Sequence, residues 1–348
     1  MTKDLQKACR NFFTSICLAL ATFWLLGLFA GQAFANYFGR PSTNGGPTEV
    51  KVSVYIIDMD EVDTAAQSFN ANIYLRLSWR DPRLAHGGSD EIVRGLHEVW
   101  NPRIQILNQQ KIWPTFPEIV EISPQGQVVY RQRFWGGFSQ PLELVDFPFD
   151  KQAFQFIFVS VGYSPQEVEL IPDIDARTGL SEKFSLADWS ILDWQAGTFE
   201  IVPNVKREKV AGYHLTIEGQ REYGYFIAKI IIPLCLIVMM SWVVFWIDPN
   251  ESGTQISVAI TAMLTLIAYR FAVGTYLPKV SYLTRLDYFI LGATFLVFAS
   301  LIEVVVTSTY AKIGNIDRAR AIDRWARVLF PLVFVAVAIE TLIFRFGL

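Results

Sequence analysis

Glu251-Ser-Gly-Thr-Gln-Ile-Ser-Val-Ala-Ile-Thr-Ala-Met-Leu-Thr-Leu-Ile-Ala-Tyr-Arg-Phe-Ala-Val-Gly-Thr-Tyr276 is the stretch on which the fold turns. At about 1.5 Å per residue it is long enough to cross a bilayer as a helix, yet one side of it is unlike a lipid-facing surface. Ser257, Thr261, Leu264, Ala268 and Phe271 recur at steps of three and four and so share one helical face, hydroxyl-bearing at its start and apolar towards its end. Two readings fit. As an ordinary bundle helix, the segment would pack these residues against neighbours. As the wall of a narrow aqueous path, its hydroxyl end would ease ion dehydration, and Leu264 and Phe271 would close the path by dewetting. One helix encloses nothing, so the second reading requires a symmetric oligomer.

The rest of the composition fits a membrane part joined to a soluble one. The 348 residues are 52% hydrophobic and only 18% charged, and the apolar residues are gathered in runs rather than spread evenly. Basic residues are dispersed and form no nucleic-acid recognition module, so no nucleic-acid partner is expected. Residues 1–35 read as a secretory signal peptide, with Lys3, Lys7 and Arg10, an apolar run at 16–30 and the cleavage site Ala33-Phe34-Ala35; an uncleaved first membrane helix is the other reading. Cleavage would remove Cys9 and Cys17 and leave Cys235 in an apolar helix, so no intrachain disulfide is expected.

Residues 36–48, with Pro41, Gly45, Gly46 and Pro47, read as a flexible lead. From 49 to 223, alternating runs are separated by turn residues. The clearest are 50–57, 69–79, 127–134 and 153–159, followed by weaker ones near 167–171, 188–193, 197–202 and 211–218. This rhythm predicts an antiparallel β-sandwich. Residues 224–348 hold four spanning candidates near 224–247, 254–276, 285–308 and 325–346, the first interrupted by Pro233. The stretch 309–324 reads as a linker, and its Lys312, Arg318, Arg320 and Arg324 outnumber Asp317 and Asp323, which favours the cytoplasmic side. The expected location is a bacterial cytoplasmic (inner) membrane, with the N-terminal domain and the C-terminus on the outer side.

Trp79-Arg-Asp-Pro-Arg-Leu84, Trp113-Pro114, Phe147-Pro-Phe-Asp150, Arg221 before the first spanning run, Pro233 within it and Leu277-Pro-Lys279 after the second form an ordered set that periodicity does not explain. Together they resemble the pentameric ligand-gated ion channel family, the Cys-loop receptor superfamily, and more narrowly its prokaryotic members, from about Val50 to the end of the chain. In animal members the loop matching 147–150 is bracketed by two cysteines. Here the matching positions are Gln140 and Phe154, so packing and hydrogen bonds are expected to hold that loop. The resemblance implies an extracellular antiparallel β-sandwich followed by a four-helix transmembrane domain, as a homopentamer with a central pore lined by the second helix. It also implies a small ligand bound between neighbouring sandwiches, with no catalytic step and no cofactor.

Within that frame Ser257, Thr261, Leu264, Ala268 and Phe271 match the pore-facing positions, with Leu264 at the central hydrophobic ring. Five carboxylates at a pore mouth would draw cations, and Glu251 is the candidate to supply them. Cationic relatives usually carry that glutamate at the position of Gly253, so Glu251 facing the cytoplasm beside the pore is the other reading. Arg270 falls beside the face of Ala268 and Phe271, and the proline-alanine insertion of anionic members is absent. Monovalent-cation selectivity is therefore expected, with anion or mixed selectivity as the alternative.

Candidate ligand contacts are Trp113, Tyr163 and Tyr213 on one side of a subunit interface and Trp79, Arg133 and Phe134 on the other, aromatics suited to an organic cation such as an amine. In an amine-gated relative an aromatic matches Val161. In a proton-gated relative a responsive glutamate matches Gln67 and a pore-helix histidine matches Leu266, and neither residue here titrates. Coupling between domains is expected at Asp150 and Arg221, surrounded by Asp58, Asp60, Glu61 and Asp63 and received by the 277–280 loop with Pro278 and Lys279. The acidic runs 58–63 and 167–175 offer oxygens to a modulatory calcium without a closed motif. A non-conducting membrane sensor is the reading from another class. An enzyme is disfavoured, because His86, His97 and His214 show no metal-ligand spacing.

Overall fold

Alternation of period two turns the first part of the chain into strands, and four apolar runs turn the rest into helices. The computed structural model describes residues 38–41, 45–202, 209–275, 277 and 279–344; the expected signal peptide, residues 36–37 and 42–44 of the lead, Tyr276 and Pro278 lie outside the described residues. The strands are β1 (Thr48–Asp63), β2 (Ser68–Arg80), β3 (Ile92–Gly95), β4 (Ile104–Ile106), β5 (Gln109–Pro114), β6 (Ile119–Ile122), β7 (Gln127–Ser139), β8 (Lys151–Ser160), β9 (Val168–Pro172), β10 (Gly179–Leu180), β11 (Trp189–Ile201) and β12 (Val210–Arg221). One sheet runs β10-β1-β2-β7-β6-β3, with β5 added to β7 and β9 to β1, and the other runs β11-β12-β8-β4. The long pairs are antiparallel, while β9 and β10 join β1 in parallel. The runs at 188–193 and 197–202, which read as two strands, are one: β11 continues through a register shift between Ile191 and Asp193.

The inward residues of β1 and β2, Val50, Val52, Val54, Ile56, Ile73, Leu75 and Leu77, meet Phe154, Phe156, Phe158, Leu215 and Ile217 from the second sheet in one buried core. Phe69 sits at the junction of the sheets, its ring centre 5.3 Å from Phe154 and 5.4 Å from Phe156, both edge-to-face. Rings buried this fully contribute on the order of 1.5–3 kcal/mol each by leaving water.

Among the described residues, the helices long and apolar enough to cross a membrane are α1 (Gly224–Trp246), α2 (Pro249–Val273), α3 (Arg285–Lys312) and α4 (Ile316–Ile343). Pro233 follows a π-helical turn at Ile227–Ile231, where the wider winding accommodates a residue with no N–H to donate. α3 begins with a capping box, Thr284 and Asp287 each accepting from the other's backbone N–H. The stretch 309–324 is not the linker it resembled, because α3 runs to Lys312 and α4 starts at Ile316, with Gly314 at φ +83° between them. Asp317, Arg318, Arg320 and Arg324 lie on an exposed side of α4, opposite a buried side of Ala319, Asp323 and Ala326. They mark a face rather than a break.

Coverage separates the helices. The most apolar stretch of α3 is 44% buried, whereas those of α2 and α4 are 22% and 17% buried. Apolar surface left bare to that extent requires lipid or further protein.

Candidate functional site

α2 is fastened by one side and bare on the other. Gln255, Ala259, Ala262, Leu266 and Val273 are buried. Gln255 Nε2 donates to the carbonyl of Ile247 at 2.9 Å, and the Tyr269 hydroxyl donates to the carbonyl of Ile230 at 2.6 Å. On the other side Ser257, Thr261, Leu264, Ala268 and Phe271 are all exposed, Leu264 by 60% and Phe271 by 80%. Thr261 Oγ1 donates its hydrogen to the carbonyl of Ser257 at 2.8 Å. Its oxygen therefore presents lone pairs outward, which suits a cation. Glu251 and Arg270 are exposed as well.

The aromatic candidates divide. Trp113 and Trp135 stack on the outer face of β5 and β7, 5.5 Å between ring centres, and both are largely exposed. In register beside them, Tyr74 pairs with Arg133 and Asn72 with Trp135, and Arg133 Nε donates to Asn72 Oδ1 at 2.9 Å, so Trp113 shares a face with Arg133 and does not stand across an interface from it as expected. Phe116 meets Tyr74 edge-on at 6.4 Å, which extends the patch. Phe134 turns the other way, against the core, and helps line a cavity of about 230 Å³ with Trp79, Tyr130 and Arg103. Tyr163 is elsewhere, its hydroxyl accepting from Trp100 Nε1 at 2.8 Å with Arg103 over its ring. Trp79 and Tyr213 are corrections as surface ligand contacts: each is 1% exposed, because both point into the sandwich core. Burial also pushes the Tyr213 phenol above its usual range. Trp135 and Tyr74 were missed, since an aromatic in an alternating strand does not say which face it occupies until register is known.

The acidic runs are engaged within the sandwich. Asp58 accepts from Ser185 N at 2.6 Å and from its hydroxyl at 2.7 Å, and Asp63 caps its own turn through the N–H groups of Ala65 and Ala66 at 2.9 Å. Glu61 takes Asn70. Asp173 pairs with Arg76 and Asp175 with Lys51. Backbone and hydroxyl donors of Ser164 hold Glu167 below the usual carboxylate range, and the Lys51 hydrogen bond does the same for Asp175. Among the described residues no three His, Cys, Asp or Glu side chains converge as a metal site.

A buried ion pair closes the end of the sandwich that leads into α1. Arg221, 4% exposed, donates from Nε to Asp150 Oδ1 at 2.8 Å and from a terminal nitrogen to Oδ2 at 3.1 Å. Gln152 Nε2 adds a third donor to that carboxylate at 2.8 Å. The guanidinium lies 4.4 Å from the Trp189 ring centre and 5.0 Å from that of Phe147, so aromatic faces replace water around it. Asp58 and Asp63, expected to complete this network, bond elsewhere as described. The 147–150 loop reaches the helices through Leu286 N, which donates to the Phe147 carbonyl at 3.3 Å, while Arg285 N donates to that of Val145 at 2.9 Å. Nearby, Leu144 N donates to the Tyr282 hydroxyl at 2.9 Å. These receivers at 282–286 lie just beyond the expected 277–280 loop. Lys279 is exposed and Pro278 lies outside the described residues.

Two glutamines organise the same junction. Gln140 Nε2 donates to the Ala153 carbonyl at 2.6 Å and its Oε1 accepts from Gln155 N at 2.9 Å, so it grips the backbone on either side of Phe154. Gln67 Oε1 accepts from Leu142 N at 2.6 Å while its Nε2 donates to the Thr64 carbonyl at 2.7 Å, tying the β1–β2 turn to the same loop. A side-chain amide offers a donor and an acceptor at once. Replacing Gln140 by alanine is expected to destabilise this loop by about 1 kcal/mol, the partners being partly exposed, with a lower thermal midpoint as the readout.

A sandwich whose 144–147 loop is hydrogen-bonded to the start of α3, among four described membrane-length helices of which one is bare along a hydroxyl-to-apolar face, defines a receptor-type channel subunit. Residues 32–217 match the neurotransmitter-gated ion-channel ligand binding domain, and residues 230–315 match the neurotransmitter-gated ion-channel transmembrane region. A proton-gated ion channel of Gloeobacter violaceus is 28% identical over 312 residues, covering 86% of this chain and 84% of that one. A gamma-aminobutyric acid receptor beta subunit of Lymnaea stagnalis is 27% identical over 292 residues, covering 78% of this chain and 58% of that subunit. The chain belongs to the neurotransmitter-gated ion-channel family of the Cys-loop superfamily: it is a ligand-gated ion channel of the pentameric kind and not an enzyme.

Proposed function

We propose that five copies of this chain form a cation-selective channel, opened from outside by a small ligand or by protons, with α2 lining the pore. The carrying observation is the bare face of Ser257, Thr261, Leu264, Ala268 and Phe271 on a helix whose opposite side is bonded to its own subunit. Five such faces would give a hydroxyl-lined inner section and a hydrophobic gate at Leu264 and Phe271. Glu251 is the carboxylate proposed for the inner mouth, supported by its exposure in the first turn of α2. In this reading residues 49–223 are the ligand-binding sandwich, residues 224–348 the pore domain, and the membrane is a bacterial inner membrane with the sandwich outside. The basic residues Arg318, Arg320 and Arg324 beside the α3–α4 turn support that orientation.

The outer patch of Trp113, Trp135, Tyr74, Phe116 and Arg133 is the proposed complementary half of the ligand site, with Tyr163 contributed by the adjacent subunit. Asp150 and Arg221 carry the signal to the 282–286 segment. Glu167 and Asp175 are poor candidates for an acid sensor in mild acid, because their hydrogen bonds favour the ionised form.

The test is membrane current through the purified protein during a step to acidic external solution, with the reversal potential read under a sodium chloride gradient. A reversal potential that moves towards that of sodium is expected. One that follows chloride would overturn the cation assignment and turn attention to the exposed Arg270. If acid evokes no current from confirmed pentamers, the proton alternative falls and primary amines are applied next, with and without calcium.

A further inference from the structure

α3 and α4 meet through two carboxyl groups. By helical rise, Glu303 and Asp323 stand at similar depth on either side of the 313–315 turn. Asp323 is the centre of the buried side of α4, between the small residues Ala319 and Ala326, and is itself 1% exposed. On α3, Glu303 stands among the buried Ser300, Val304 and Thr307, and its carboxyl neighbours that of Asp323. All four carboxyl oxygens are closed off from solvent, and none receives a donor from any other described residue.

The charges around the pair do not supply that donor. Arg327 and Asp248 act on Asp323 from α4 and from the α1–α2 connection. Arg327 donates its Nε to the Phe245 carbonyl at 2.9 Å and lies 5.5 Å from the Trp246 ring centre. Asp248 is held by Arg320 at 3.0 Å. Arg327 thus offsets one negative charge from a distance without bonding either carboxylate. Two ionised carboxylates side by side in this apolar setting would repel each other and leave four acceptors unpaired. One proton removes the repulsion and engages two of the four oxygens, since a protonated carboxyl donates to an ionised one.

We propose that Glu303 and Asp323 form a proton-binding site, holding one proton between them and thereby fastening α4 to α3. Glu303 carries the proton, and Asp323, the member nearer Arg327, accepts the hydrogen bond. Loss of that proton to alkaline solution replaces an attractive contact by a repulsive one and loosens α4. The site is independent of the ligand face and of the pore assignment.

Infrared spectra of the full-length pentamer in lipid, recorded at neutral pH for the natural chain, Glu303→Gln and Asp323→Asn, test this directly. The expected result is a buried carboxylic-acid carbonyl band in the natural chain that Glu303→Gln loses and Asp323→Asn shifts in frequency; spectra that superimpose in that region would overturn the proposal, as would a bound cation in place of the proton. Thermal melting supplies the second reading. Glu303→Gln keeps a permanent donor, so its midpoint is expected to hold at alkaline pH where that of the natural chain falls. Equal falls in both would also overturn it.

Discussion

Replacing Arg221 by methionine is expected to leave few functional pentamers, and any that form should open poorly while keeping the natural reversal potential. Among the described residues the guanidinium is the sole cation bonded to Asp150, which it binds through two nitrogens, and both groups are nearly inaccessible to water. Removing it leaves a buried carboxylate with only Gln152 as a side-chain donor. Breaking one side of such a pair costs about 3–5 kcal/mol, a large part of the roughly 5–15 kcal/mol that holds a domain folded. The loss falls where β12 ends and α1 begins, between Phe147 and Trp189, so the sandwich and helices lose their common anchor. Asp150→Asn combined with Arg221→Met removes both charges and should recover part of the assembly lost in Arg221→Met alone. Size-exclusion profiles and activation curves measure this. Natural assembly and activation in the single variant would show that the pair is dispensable.

How much of this was legible depended on the distance over which each signal acts. The period of three and four at 257–271 is local, and it identified a face that the folded subunit leaves bare. Strong alternation did the same for β1, β2, β7 and β8, whereas β3 and β6 lie at an edge where Val93 and Ile119 are exposed and the alternation fades. The partners of Arg221 needed more. Asp150 came from a motif match, but Trp189 lies in another strand with no local mark of its role. Gln140 was placed at the position of a missing cysteine, yet its two-sided grip on β8 follows only from the three-dimensional register. Trp79 and Tyr213 failed as surface contacts for the same reason, since ring chemistry does not distinguish inside from outside. Glu303 and Asp323 are brought together by the tight α3–α4 turn, which charge content had disguised as a linker.

Leu264→Thr should produce a channel that conducts without stimulus, or one whose activation shifts to a much weaker stimulus. Leu264 is 60% exposed in the subunit, and a ring of five such side chains can close a pore by excluding water rather than by blocking it physically. Threonine has similar breadth but offers a hydroxyl, so water and ions are tolerated where leucine expels them. Symmetry multiplies the change. If each copy weakens the closed state by only about 0.5 kcal/mol, five copies shift the equilibrium by about 2.5 kcal/mol, between tenfold and a hundredfold. Ala268→Ser, on the same face, should shift activation far less, because it removes no bulky apolar group. Leu266→Thr is the structural control: Leu266 is 0% exposed and packed within the subunit, so its loss should lower stability and yield without producing a leak. Current in the absence of stimulus, together with the activation curve, decides between these outcomes. A Leu264→Thr channel that stays shut at rest and activates as the natural one does would remove Leu264 from the gate and return the bare face of α2 to packing against other helices.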